Sequence, residues 1–161
     1  MSLLLSGSKT ITIAGTVMQC IELYTGESYT LPFAFKDADG LPIDCTGWTL
    51  GTTAKWYTTN LTYPDDNTVN VADLSLDSPQ PGSGASTGLT AAFTTQSSGL
   101  GYIYIPSVIS GGAGSPPSPI PTLLDNPSIL VIITLTITRT DSLSGLSDVN
   151  REPIGIVVRY Q

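Results

Sequence analysis

Tyr29-Thr30-Leu31-Pro32-Phe33-Ala34-Phe35-Lys36 carries an apolar side chain at every second position, with Thr30, Pro32, Ala34 and Lys36 between them. An extended chain sends alternate side chains to opposite faces, so the stretch predicts a β-strand with Leu31, Phe33 and Phe35 in a core. Pro32 has no N–H for a ladder, which predicts an edge strand or a bulge at that point. Asp37-Ala38-Asp39-Gly40 follows at once. Between strands, Asp39-Gly40 is a hairpin signal because Gly accepts positive φ. A second turn, Asp44-Cys45-Thr46-Gly47, comes next. Asp44 can accept backbone N–H groups two residues on, and Gly47 supplies backbone freedom before Trp48 enters the core. Trp48, Leu50, Ala54 and Trp56 then repeat the period of two.

Outward from this segment, strand signals recur at Thr10 to Ile13, Val17 to Tyr24, Val69 to Leu76, Leu89 to Thr94, Gly101 to Ile105 and Glu152 to Tyr160. Ile129 to Arg139 is apolar on both faces at first; then Leu135 and Ile137 alternate with threonines. That pattern predicts a central strand leaving a covered region, with Ile133, Leu135 and Ile137 in the core. Short strands parted by Gly, Pro, Asp and Ser predict an all-β fold, an antiparallel sandwich or barrel. Two stretches break the pattern, Ser78 to Thr87 and Ser110 to Pro121, both rich in Pro, Gly and Ser. They are expected as long loops within one domain, 1–161, because the strands after Pro121 are needed to complete the core. Residues 1–15 are expected as an extended N-terminal arm.

Composition narrows the function. The 161 residues include 16 Gly, 12 Pro and no His, which removes imidazole-based catalysis and imidazole metal ligation. Six basic against 13 acidic residues give −7, so nucleic acid is not an expected partner. Cys20 and Cys45 are too few for a disulfide framework; one bridge or two buried thiols both fit. The opening Met1 to Gly7 lacks a basic region and its apolar run is three leucines, unlike a signal peptide. No apolar stretch approaches a membrane span. Synthesis in a cytoplasm is expected, and the sequon Asn60-Leu61-Thr62 is discounted.

Asp37, Asp39 and Asp44 do not have the ligand spacing of a calcium loop, since Gly40 comes too early and no closing Glu follows. Asp65-Asp66-Asn67 reads as another turn. Paired carboxylates for glycoside hydrolysis are a spatial matter, but no aromatic-rich segment accompanies these. Phosphate loops and nucleophile elbows are absent from the sequence. No enzyme activity, metal or cofactor is expected.

Thr25 to Tyr57 also resembles the N-terminal immunoglobulin-like domain of phage baseplate upper proteins and related tail-fibre adaptors. The resemblance is carried by Gly26-Glu27, the strand Tyr29 to Lys36, Asp39-Gly40 with Pro42, Asp44-Cys45-Thr46-Gly47, and Trp48 to Tyr57. Cys45 stands where that family usually has Leu. Gly101-Tyr102-Ile103-Tyr104-Ile105 looks like its downstream Gly-x-Tyr strand. Close matches cover about a fifth of the chain.

The resemblance implies an immunoglobulin-like sandwich and a virion structural protein, made in the host cytoplasm. Its expected partners are other phage structural proteins, with homo-oligomerisation in the assembly and no membrane. A tail or baseplate adaptor for fibre or wedge attachment is the first expectation, and a capsid cement protein the alternative. Larger members run on into a fibrous shaft, which this sequence lacks, so a stand-alone adaptor or decoration subunit is expected. Ser2 to Gly15 and the loop with Pro116, Pro117, Pro119 and Pro121 are the expected contact arms. A carbohydrate-binding module is the further alternative. It would need exposed aromatic residues, whereas most here fall in core register.

Overall fold

The computed structural model describes residues 1–13, 15–24, 26–59, 68–69, 74–76, 88–107, 109, 128–140 and 143–159. Among them run β1 (Ser2–Leu5), β2 (Lys9–Ile13), β3 (Thr16–Tyr24), β4 (Tyr29–Lys36), β5 (Thr49–Thr59) and β6 (Thr68–Val69). β7 (Leu74–Leu76), β8 (Thr90–Thr95), β9 (Leu100–Ile105), β10 (Ser128–Thr140) and β11 (Ser147–Arg159) complete the order. They form two sheets: β1-β4-β9-β8, and β6-β2-β3-β11-β10-β5-β7. The fold is an all-β sandwich. Pairing is mostly antiparallel, but β3 runs parallel to β11 and β2 parallel to β6. A uniformly antiparallel arrangement is therefore corrected at those two pairs. No helix among the described residues is long and apolar enough to cross a membrane.

Alternation builds the core as physics requires. Leu31, Phe33 and Phe35 of β4 point inward with Ile103 and Ile105 of β9, and meet Val131, Ile133, Leu135 and Ile137 of β10. Ile154, Ile156 and Val158 of β11 join them, so strands beyond Pro121 do complete the core. Burying each such side chain contributes about 1.5–3 kcal/mol. β10 lies between β5 and β11, and its outward positions run from buried Leu130 through half-buried Ile132 to half-buried Thr134, Thr136 and Thr138. Leu130 belongs to a second cluster, with Ile11, Met18, Cys20 and Val157, on the far face of the seven-stranded sheet. Gly155 lets that cluster close: a Cβ there would stand 3.3 Å from Ile11 Cγ2.

Three expectations are corrected. The N-terminal arm of residues 1–15 is not an arm among its described residues: Ser2–Leu5 pairs with β4, and Lys9–Ile13 pairs with β3. Leu3 and Leu5 are buried, which pulls β1 into the core. The Gln19 side-chain amide then holds it, donating from Nε2 to Leu3 O at 2.6 Å and accepting Leu5 N–H at 2.9 Å. Secondly, Pro32 lies in neither an edge strand nor a bulge; β4 is flanked by β1 and β9 in unbroken register. Ser6 N–H donates to Pro32 O, so the proline nitrogen faces the side where β1 has just ended. The missing donor costs no ladder bond to β9.

Thirdly, Asp39-Gly40 does not join two full strands. The chain returns along β4 only through the bridge Lys36↔Pro42 and the bond from Ile43 N–H to Phe35 O. β5 then starts in the other sheet.

Candidate interaction surface

Two acidic turns sit at one end of the sandwich. Asp37–Gly40 is closed by Gly40 N–H donating to Asp37 O at 3.1 Å, with Gly40 at φ +79°. Its anchor is the Asp37 carboxylate, whose Oδ1 accepts Asp39 N–H at 2.9 Å and Leu41 N–H at 2.8 Å. Sequence reasoning named Asp39 and missed Asp37 as the holding group. The signal was present: Asp at the first position and Gly at the fourth is a preferred turn pairing.

In the second turn Asp44 Oδ1 accepts both Thr46 Oγ1–H at 2.6 Å and Thr46 N–H at 2.9 Å. Those two bonds, the hydroxyl's first, hold the Asp44 carboxyl below its ordinary value of 3.8. Gly47 has φ +81°, and Trp48 N–H donates to Cys45 O. Both carboxylates are engaged in turn geometry. Among the described residues no group of three acidic or thiol side chains converges into a metal cage.

Neither cysteine is bridged. Cys45 belongs to the cluster between the sheets and Cys20 to the cluster on the far face. Burial pushes each thiol up to about 11, reinforced by Glu22 beside Cys20 and by Asp44 beside Cys45. A thiol so raised is a poor nucleophile at neutral pH.

Trp48 is half-buried against the core, edge-on to Phe35 at 5.8 Å between ring centroids. The Arg139 guanidinium lies 5.3 Å from the Trp48 ring centroid and pairs with Asp148 across the β10–β11 rung. Beyond that rung Leu143 and Leu146 are exposed, as is Val149 on the rung before it. Trp56 lies in β5 opposite Val131, but its side chain is outside the described residues. Pro116, Pro117, Pro119, Pro121 and Asp65-Asp66-Asn67 also lie outside them, as do both Pro/Gly/Ser-rich stretches.

The outer face of the four-stranded sheet is the least expected feature. Register sets Leu4, Ala34 and Leu100 in one row, Pro32, Tyr102 and Ala92 in the next, and Thr30, Tyr104 and Thr90 in a third. Leu4 is 51% exposed, Leu100 41% and Tyr104 38%. These three rows carry no charge; Lys36 stands at one corner, opposite Ser2.

β9 explains the aromatic pair. Gly101, Ile103 and Ile105 face inward, so Tyr102 and Tyr104 face out, two exceptions to the core register expected of most aromatic residues. Gly101 is needed inside because the Phe33 ring crosses it: an added Cβ would collide with Phe33 Cζ and fall 2.5 Å from Ala92 O. Compared with known protein families and with curated proteins, the sequence matches none.

Proposed function

We propose that the chain is a structural subunit of a bacteriophage particle, a tail or baseplate adaptor that helps attach fibres or wedges. The observation that carries the reading is the segment Gly26 to Tyr57 and its resemblance to baseplate upper proteins. The uncharged outer face of Leu4, Pro32, Leu100, Tyr102 and Tyr104 supports it, since a subunit that works by docking needs such a surface. On this reading the partners are other virion proteins, assembly is homo-oligomeric, and neither catalysis nor a cofactor, nucleic acid or membrane is involved.

Mass spectrometry and image reconstruction of particles from the encoding phage test it. The expected result is density for this sandwich in a few rings at the tail. Hundreds of copies on the head would replace it with the cement reading, and absence from particles would end both. A carbohydrate-binding role gains from Tyr102 and Tyr104 lying outward on one sheet face. Binding to a glycan array, abolished by Tyr104→Ala, would favour it over the adaptor; silence would remove it.

A further inference from the structure

The two edges of the four-stranded sheet differ, and the difference points to a partner. Phe35 N–H donates to Gly99 O on the β9 side, and Ser6 N–H donates to Pro32 O on the β1 side. Alternate residues of a strand turn their N–H and C=O to opposite sides. Carried across the register, Thr90 and Ala92 bond β9, and Ala91 and Phe93 point to the free edge of β8.

On β1 three of the four corresponding groups are taken. Leu3 O and Leu5 N–H bind the Gln19 amide, and Ser8 Oγ lies 3.1 Å from Leu5 O. On β8 the stitching stops at Leu89, whose carbonyl accepts Thr52 Oγ1–H at 3.0 Å. Ala91 and Phe93 follow with open backbone groups among the described residues. Ala91, Ala92 and Phe93 are half-buried, and among the described residues no strand pairs with β8 on the side away from β9. Thr90-Ala91-Ala92-Phe93-Thr94-Thr95 carries no Lys, Pro or charge; its one guard is the bulge between Phe93 and Thr95, which leaves the rungs of Ala91 and Phe93 in regular register.

We propose that β8 pairs antiparallel with β8 of a second copy of this chain, joining two four-stranded sheets into one of eight strands. The two-fold axis passes at Ala92, so Ala91 opposes the other copy's Phe93 and the reverse. That register uses both open rungs of each chain and gives four backbone hydrogen bonds. It also sets a large side chain against a small one at each rung, with the two Ala92 side chains meeting on the outer face. A chain of net charge −7 repels its own copies, and an uncharged strand is where that repulsion is least. The paired outer faces then form one continuous surface bearing two Tyr102–Tyr104 sets. The proposal does not depend on the virion reading.

Sedimentation velocity of the full chain at rising concentration tests it. The wild type is expected to pass reversibly from monomer to dimer. Ala91→Pro removes only an N–H that faces the free edge, so it should weaken the dimer about tenfold or more while leaving the circular dichroism spectrum unchanged. Ala92→Lys and Ala92→Glu place like charges opposite each other and should each be monomeric, whereas their equimolar mixture should dimerise. A wild type that stays monomeric up to about 1 mM overturns the proposal. So does a dimer that Ala92→Lys leaves intact, or an A92K and A92E mixture that stays monomeric.

Discussion

The seven-stranded sheet has an apolar cluster on each face, and the two differ in size and in who shares them. Between the sheets, buried residues from seven of the strands and from the turns lock together; on the far face five buried residues from four strands do so, among those described. β10 feeds both, with Leu135 on one side and Leu130 on the other, and neither is more than 1% exposed. Equal burial therefore hides unequal surroundings. The larger cluster decides whether the sandwich exists, and the smaller one decides whether β2, β3, β10 and β11 stay flat against one another. Each also holds one thiol, Cys45 in the first and Cys20 in the second, which makes the comparison measurable.

Leu135→Ala should show the largest effect, about 4 kcal/mol lost in urea unfolding, because both sheets line the cavity left behind. Gly101→Ala should cost about 3 kcal/mol, since its methyl meets the Phe33 ring and a backbone carbonyl that cannot move aside. Leu130→Ala should cost less than Leu135→Ala, about 2.5 kcal/mol, although the residue type and strand are the same. Equal losses for the two leucines would erase the distinction between the clusters.

Thiol labelling sharpens it further. Near neutral pH in the native protein both cysteines should react slowly, being buried and raised to about 11. In mild denaturant Cys20 should label before Cys45, as the smaller cluster opens first. Simultaneous labelling would mean one cooperative unit.

The smallest effect belongs to the exposed Asp44 turn. A depressed carboxyl adds stability that is complete above its unfolded pKa and is lost as pH falls through the lower folded value. Asp44→Ala should lower the melting temperature slightly near neutral pH, and the gap to wild type should close below about pH 3. A gap that persists there would show that the Thr46 bonds do not depend on ionised Asp44.

Much of this was legible locally. Tyr29 to Lys36 declared its inward row, and the run from Ile129 to Ile133 announced burial on both faces before the threonines begin. What was not legible depends on distant partners. Ser2 to Leu5 has leucine at both parities, so alternation is blurred, and its place is set by an amide on Gln19. The parallel pairing of β3 with β11 joins residues far apart in sequence, and nothing local encodes it. Pro32 misled because its effect depends on which side of β4 has already run out of neighbour. The docking surface was half legible: Tyr-Ile-Tyr-Ile alternates openly, but only register shows that tyrosine takes the outward turn.

One consequence of the strand order concerns the growing chain on the ribosome. Among the described strands, β11 alone links β6-β2-β3 to β10-β5-β7, and it is made after all of them. From the end of β10 at Thr140 to the end of β11 at Arg159, synthesis at about 5–20 residues per second takes roughly 1–4 seconds, and β6-β2-β3 has by then waited longer. Throughout that interval β3 and β10 present bare backbone toward a neighbour that does not yet exist. A translation product halted before Ser147 keeps those margins exposed permanently, and clumping rather than slow maturation is its fate.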